Sequence, residues 1–503
     1  MPAVPRRRFL QNLAAGTAAV TLPGFMGSLT GCSRRPGRRP NFVFFLIDDM
    51  GWTDAGCYGS TLYETLHIDR LAADGMRFTD AYAACPVCSP TRASIMTGRY
   101  PARLNITDWI GGRQRGLMLP AEYEHALPLE EVTIAEALHE AGYSTGFFGK
   151  WHLGDEERFH PEHQGFDTNV AGHGAGHPAS YWYPYERGGD GNTYWDVPDL
   201  ENGREGEYLT DRLTDEALAW LDTNAGDPFL LYLAHYAVHT PIQGKPDLTA
   251  RYEDKLAGMA PPEGPLSRRQ KEWGGVTRLV QDNPEYAAMV SSVDESVGRV
   301  MAKLDQLGVS QDTIVIFMSD NGGLTTFANS PGAPTAVLPL RAGKGWLYEG
   351  GIREPMIVRW PGVVEPGSVC PEVVTSTDFY PTMLAMAGLE SRPAQHLDGL
   401  DLTPLLRGSG SPGREAVYWH FPHYHGSGMR PAGAVRAGEW KLIEWYEDRR
   451  IELYNLRDDI GEEHDLAAAE PQKAAELKAM LEAWRRATDA RMPRHDPGRA
   501  PVP

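Results

Sequence analysis

The sequence predicts an α/β fold: a large, mainly parallel (mixed) central sheet flanked by helices, with a smaller C-terminal α+β subdomain containing an antiparallel sheet. Three observations predict it. Continuous apolar runs of strand length recur along the chain, helix-length stretches separate them, and beyond about residue 400 both give way to shorter β-like pieces. Alternation of this kind is the signature of strands buried on both faces by intervening helices.

The first run, Phe42 to Ile47, shows none of the polar alternation of a half-exposed strand, and it ends in Asp48-Asp49. The same arrangement recurs. Tyr143 to Phe148 leads into GKWHLG, Phe229 to Ala234 into HYAVHTP, Thr313 to Met318 into SDNGG, and Pro355 to Trp360 into a Pro-Gly turn. Helices are expected over Thr133 to Ala141, Leu209 to Asn224 and Tyr286 to Leu307. In such sheets ligands bind beyond the carboxyl ends of the strands, so the polar residues at four of these ends point to one shared site. The segment 155–207, rich in Gly, His, Tyr and Trp, lacks periodicity and is expected to form loops over that site. AVRAGEWKLIEW and RRIELYNL supply the later strands, and Pro471 to Ala487 a polar helix.

With 503 residues the chain exceeds the size at which single cores stop growing. Its 67 acidic against 48 basic residues offer no basic face, so nucleic acid is not an expected partner. Five cysteines, at 32, 57, 85, 88 and 370, are too few and scattered for a disulfide framework. The N-terminus reads as an address. Arg6-Arg7-Arg8-Phe9-Leu10-Gln11 resembles a twin-arginine export signal, and Leu29-Thr30-Gly31-Cys32 a lipobox whose cysteine receives lipid, a plain signal peptide or a basic tail being the alternatives. The expected organisation is a signal peptide at 1–31, a tether at 32–40, a catalytic α/β domain at 41–395, a C-terminal α+β subdomain at 396–490 and a tail at 491–503.

Within ACPVCSPTRASIMTGRYP (84–101), Cys85 and Cys88 have the spacing of a redox pair, and a thiol at a helix N-terminus has a lowered pKa. Zinc lacks support, because no second cysteine pair has finger spacing. The residues after Cys88 matter more: Pro90 suits a first helical position, Gly98 a C-terminal cap, and Arg92 falls one turn from Cys88 on the same face. Redox exchange needs no such arginine.

These residues resemble the signature of the type I (formylglycine-dependent) sulfatase family in the alkaline phosphatase superfamily: Cys88-Ser89-Pro90-Thr91-Arg92, then Thr97-Gly98-Arg99. The resemblance runs over nearly all of residues 40 to 470, including ELYNLRDDIGEEHDL, although Thr91 stands where Ser or Ala is commoner. It implies a hydrolase of sulfate esters, expected to be those of carbohydrates, whose nucleophile is the hydrate of a formylglycine made from Cys88 by a formylglycine-generating enzyme. The enzymatic alternative is a phosphate or phosphonate monoester hydrolase of the same superfamily. A more distant one is a thiol–disulfide or structural lipoprotein with Cys88 unconverted.

The other clusters agree with the resemblance. Asp48, Asp49, Asp320 and Asn321 offer only oxygen, which suits calcium or magnesium. The resemblance favours one calcium ion, with residue 88 completing its shell. Lys150 and His152 form an i, i+2 pair that in extended chain would share a side. The resemblance selects His239 rather than His235 as the site histidine, and Lys344 as a second sulfate-binding lysine, while Arg353 is expected in an ion pair. It implies that Lys150, Lys344 and the metal neutralise sulfate, Arg92 steadies residue 88, His239 protonates the leaving oxygen, and His152 takes the proton that lets sulfate depart. The aromatics Tyr181 to Tyr185 and the histidines at 160, 163, 173 and 177 are candidate sugar-pocket residues, with loop packing the simpler expectation for each. Lipid on Cys32 would hold the protein at a membrane in the periplasm or at the cell surface.

Overall fold

The central sheet contains β1 (Asn41–Ile47), β2 (Met76–Phe78), β3 (Ser144–Gly149), β4 (Thr168–Val170), β5 (Phe229–His235), β6 (Thr313–Ser319), β7 (Met356–Arg359) and β8 (Ser368–Cys370). Their spatial order is β8-β2-β7-β6-β1-β5-β3-β4. The computed structural model describes residues 39–113, 115–186, 193–269 and 274–498. The export signal and Cys32 lie outside the described residues.

Because successive strand residues point to opposite faces, β1 shows why helices are needed on both. Phe42, Phe44 and Leu46 pack with Ile95 of α1 (Cys88–Thr97), Leu138 of α2 (Ile134–Glu140) and neighbouring apolar residues. Val43, Phe45 and Ile47 face the other way, onto Leu213 of α3 (Leu209–Asn224) and Tyr286 and Val290 of α4 (Pro284–Gln306). Phe379 and Met383 of α5 (Phe379–Met386) complete the first layer. All six residues from Phe42 to Ile47 are fully buried, gross burial on the order of 10 kcal/mol before entropy is counted. That anchors the carboxylates that follow.

β1 runs parallel to both its neighbours, β5 and β6, and β3 and β4 continue the parallel arrangement. β7 is antiparallel to β6 and β2, which makes the sheet mixed. The apolar run over Pro355 to Trp360 predicts this strand but carries no signal for its direction. Helix boundaries shift where caps act: α2 opens at a capping box of Thr133 and Glu136, and α4 begins at Pro284 because the Asn283 side chain accepts from the amides of Glu285 and Tyr286. Segment 155–207 holds β4 and two single-turn helices, Glu157–Phe159 and Pro161–His163, and is otherwise loop and turn in its described part.

The C-terminal region forms a four-stranded antiparallel sheet, β9 (Val417–Phe421), β10 (Ala432–Ala437), β11 (Trp440–Trp445) and β12 (Ile451–Asn455), in that order. One face, through Val435, Leu442 and Leu453, receives Leu477 and Leu481 of α6 (Pro471–Ala487). The other face packs Trp419, Ile443 and Trp445 against Cys85, Val87, Trp346 and Tyr348, directly behind the start of α1. Charges are buried in this interface. Lys441 lies between Glu349 and Glu462 at 2.9 Å from each, and Arg353 pairs with Asp80 at 2.7 Å and Glu349 at 3.1 Å, the ion pair expected of it. Deleting one partner of such a buried pair typically costs about 3–5 kcal/mol, because the other charge is left unpaired.

Candidate active site

The ends of β1, β3, β5 and β6 and the start of α1 meet at one place. Asp48 and Asp49 follow β1, Lys150 and His152 follow β3, His239 follows β5, and Asp320 and Asn321 follow β6. Backbone hydrogen bonds carry the sheet register past the strands: the Asp48 amide donates to Ala237, the Val238 amide to Asp48, and the Asp320 amide to Ile47. Gly149 is required where β3 delivers Lys150, since its φ is +106° and a Cβ there would lie 2.0 Å from the Ala234 carbonyl oxygen. Asp49 and His152 also hold left-handed backbone, with φ of 62° and 59°. Such non-glycine conformations cost about 1–3 kcal/mol and persist where surroundings fix them.

α1 begins at Cys88 rather than at Pro90, which takes the third helical position, and Gly98 caps it with φ of 69°. The Thr91 hydroxyl donates to the Cys85 carbonyl at 3.0 Å, so the residue that departs from the family's commoner choice is engaged locally. Cys85 and Cys88 are both free and buried. Burial pushes the Cys88 thiol up to about 11, with Lys150 and Lys344 opposing the rise, and burial also raises the Cys85 thiol well above its ordinary value. Neither is a thiolate near neutral pH, which argues against redox exchange.

Ligand atoms of Asp48, Asp49, Cys88 and His239 lie within 4.8 Å of one another. The Lys150 ammonium is 2.7 Å from Asp48 Oδ2, and the Lys344 ammonium 2.6 Å from Asp49 Oδ1. Arg92 is 2.8 Å from Asp320 Oδ2 and also donates to the Lys150 carbonyl. Asn321 Nδ2 donates to Asp49 Oδ1 at 2.8 Å. Three buried acceptors remain without a donor: Asp48 Oδ1, Asp49 Oδ2 and Asn321 Oδ1. Burial pushes the Asp48 carboxyl up to about 8, Lys150 opposing the rise and Asp320 and Asp49 adding to it. Burial would also raise Asp49, but Lys344, His239 and Lys150 together hold it well below the usual carboxylate range. Oxygens left open beside crowded carboxylates are a donor set that fits a hard cation.

The two histidines differ in what their rings can do. His152 Nε2 meets the Ile110 carbonyl at 3.0 Å, so that nitrogen carries the hydrogen and Nδ1, buried and without a partner, keeps its lone pair. Burial, then Lys150, holds its pKa well below normal, leaving a neutral ring. The i, i+2 expectation brings Lys150 and His152 to one site, although His152 reaches it through a left-handed turn, not extended chain. His239 donates from Nδ1 to the Thr240 carbonyl at 3.0 Å and turns Nε2 to Asp49 Oδ2 at 3.6 Å. Its pKa is lowered by burial and Lys344, with Asp49 opposing. His235 is structural, buried against the Ser296 hydroxyl at 2.8 Å.

A cavity of about 340 Å³ opens above these groups, lined by Cys88, His152, His239 and Lys344 below and by Trp109, Trp195, Phe327 and His425 around it. His177, from the loop-rich segment, is in the wall, stacked between Trp195 at 4.0 Å and His239 at 5.6 Å between ring centroids. Tyr181 is buried beneath it, donating its hydroxyl to the carbonyls of Tyr236 and His239 at 2.7 and 2.9 Å. Tyr185 is buried too, His173 contacts Tyr236, and His163 is exposed elsewhere. Sequence reading did not single out Trp109, Trp195, Phe327 or His425. Trp195 shared the aromatic texture of its segment, but nothing in HFPHYHGSG tied His425 to residues more than 300 positions earlier.

Known proteins match this chain over the same parts. Residues 40–389 match the sulfatase family, and residues 342–487 the C-terminal region of N-sulphoglucosamine sulphohydrolase. Arylsulfatase A of Homo sapiens is 35% identical over 88% of this chain and 87% of its own. N-acetylgalactosamine-6-sulfatase of Mus musculus is 33% identical over 86% and 77%. The crystal structure of Ps i-CgsB in complex with k-i-k-neocarrahexaose superposes with a TM-score of 0.72 at 31% identity, over 92% of this chain and 96% of that one. The chain therefore belongs to the sulfatase family, enzymes that hydrolyse sulfate esters.

Proposed function

We propose that this sulfatase is an exported, lipid-anchored enzyme acting on carbohydrate sulfates, with formylglycine made from Cys88 as nucleophile and one bound calcium ion. The observation that carries the reading is the cavity that joins the α1 N-terminus at Cys88 to Lys344 and two differently tuned histidines, with Lys150 buried against Asp48 at its base. The names of similar proteins support the substrate class: one acts on an N-acetylgalactosamine sulfate, another is bound to a neocarrahexaose.

Once a maturation enzyme has made it, the formylglycine hydrate supplies a hydroxyl nucleophile that a buried thiol does not. The open oxygens of Asp48, Asp49 and Asn321, with Asp320 and residue 88, would hold the cation, which adds positive charge beside the sulfate. Magnesium, which demands a near-ideal octahedron, suits a set of this many protein oxygens less well than calcium does. Lys150 and Lys344 would neutralise the sulfate oxygens, and Arg92 would steady residue 88 from one turn along α1. His239 would present Nε2 to the leaving oxygen. The charge of a bound sulfate ester joins Asp49 in favouring the imidazolium that this step needs. His152, neutral and with Nδ1 open, would accept the proton released when sulfate departs.

A panel of defined sulfated mono- and oligosaccharides, assayed for sulfate release beside nitrophenyl phosphate and a phosphonate monoester, tests the reading. The sugar sulfates should give the highest kcat/KM. Preference for the phosphorus esters would overturn it. A second expectation concerns the anchor: stable membrane attachment needs more than one acyl chain, as lipoproteins provide. Cys32→Ala should release active enzyme into the soluble fraction of the native host, and unchanged fractionation without a lipid-bearing N-terminus would refute the anchor.

A further inference from the structure

The loop that carries Lys344 has no strand or helix of its own between β6's neighbouring segments and the short helix Glu349–Ile352. Its ammonium nevertheless sits 2.6 Å from Asp49 Oδ1. Two backbone bonds seat the loop centre, from the Lys344 amide to Gly323 at 2.9 Å and from the Gly345 amide to Pro86 at 2.8 Å. Its two ends are held by one distant residue. The Glu462 carbonyl accepts from the Arg341 guanidinium at 2.6 Å, and Glu462 Oε2 accepts from the Glu349 amide at 2.7 Å. The remaining oxygen, Oε1, pairs at 2.9 Å with Lys441 of β11, whose ammonium also holds Glu349. Glu462 is fully buried and touches none of the reacting groups.

We propose that Glu462 is a positioning residue for sulfate hydrolysis, closing the Arg341–Glu349 loop from the C-terminal side and so fixing where the Lys344 ammonium stands. The inference rests on the reading that Lys344 neutralises sulfate. Its physical basis is the double grip. The Gly350 amide closes the loop base on the Arg341 carbonyl at 2.9 Å, and Glu462 clamps that base from outside, its carboxylate accepting from the Glu349 amide and its backbone carbonyl from the Arg341 guanidinium. Burial raises the Glu462 carboxyl to about 7 against the pull of Lys441, and in either protonation state an oxygen remains to accept from the Glu349 amide. The C-terminal sheet therefore acts on catalysis through geometry, without contributing a group to the chemistry at this point.

A double-mutant cycle in the matured full-length enzyme tests this, with nitrophenyl sulfate as substrate and thermal midpoint measured in parallel. Glu462→Ala should lower kcat/KM about 10²-fold, the scale of a roughly 1 Å misplacement, and Glu462→Gln, which keeps an acceptor for the Glu349 amide, should recover most of it. In a Lys344→Ala background, Glu462→Ala should change kcat/KM by less than about 3-fold while still lowering the thermal midpoint, because both changes then act on one interaction. Should Glu462→Ala fail to fold, Glu462→Asp, which withdraws the carboxylate by one methylene, runs the same cycle. Full multiplication of the two losses, or wild-type kcat/KM in Glu462→Ala, would overturn the positioning role. Wild-type kcat/KM in Lys344→Ala would instead overturn the reading of Lys344, and this inference with it.

Discussion

Cys88→Ala should abolish sulfate release while leaving the fold intact, and Cys85→Ala should keep most of it. The two cysteines are three residues apart and equally buried, but their surroundings differ. Cys85 belongs to the apolar core shared with the C-terminal sheet, whereas Cys88 faces the cavity beside Asp48, Asp49 and His239. Removing a covalent nucleophile costs on the order of 10⁴–10⁶-fold, because the reaction loses its two-step route. Removing a small packed thiol leaves a minor void and a modest loss of stability. Sulfate release by both variants, with the mass of the peptide containing residue 88, decides it: the wild-type peptide should carry an aldehyde in place of the thiol. Equal loss in both variants, with Cys85 and Cys88 joined in a disulfide, would return the chain to the thiol–disulfide reading.

His239→Ala should depend on the leaving group. A general acid matters when the departing oxygen is a poor leaving group, as a sugar alkoxide is and nitrophenolate is not. His239 Nε2 faces the cavity side of Asp49 while Nδ1 is committed to the Thr240 carbonyl, so only Nε2 is placed to deliver a proton. The substitution should cost about 10²–10⁴-fold on a sugar sulfate and much less on nitrophenyl sulfate. Lys150→Ala should instead hurt both substrates alike, since the sulfate group is common to them. The comparison is kcat/KM for both variants on both esters, at a pH where the wild type is fully active. An equal penalty on the two esters would make His239 a sulfate binder and remove this support for a sugar substrate.

Most of the sheet and the floor of the site were legible in the sequence because local pattern encodes them. A strand buried on both faces has to be continuously apolar, and the polar residues that end it have to emerge at the same edge of a parallel sheet, so Asp48, Lys150 and Asp320 were foreseeable, whereas the choice of His239 over His235 came from the family resemblance alone. The direction of β7 was not, because an apolar run reads the same either way. The cavity walls were hidden for a different reason. Trp109, Trp195 and His425 sit in loops, and Phe327 in the three-residue strand Thr326–Ala328, where no periodicity says which way a side chain faces. Tyr181 illustrates this: it lies in the right segment, yet its hydroxyl supports the His239 turn from below. The role of Glu462 required three-dimensional contacts, since its partners Arg341 and Glu349 are more than 110 residues away.

The order of the central strands sets a timetable for the ribosome. Phe42 is hydrogen-bonded in register beside Leu230 on one side and Ile314 on the other, so the strand bearing Asp48 and Asp49 must wait, unpaired, until much of the chain has been synthesised. α1 waits with it, because every residue of that helix is buried in the finished protein, partly against α5, and Cys85 and Val87 just before it pack on a C-terminal sheet made later still. Non-local pairings close slowly, and loop entropy must be overcome before they are rewarded. The segment around Cys88 is thus translated early and enclosed late. That interval would leave its extended backbone open to the maturation enzyme proposed above, and it also leaves apolar strands exposed to one another, so the yield of active protein should depend on how quickly synthesis and closure follow one another.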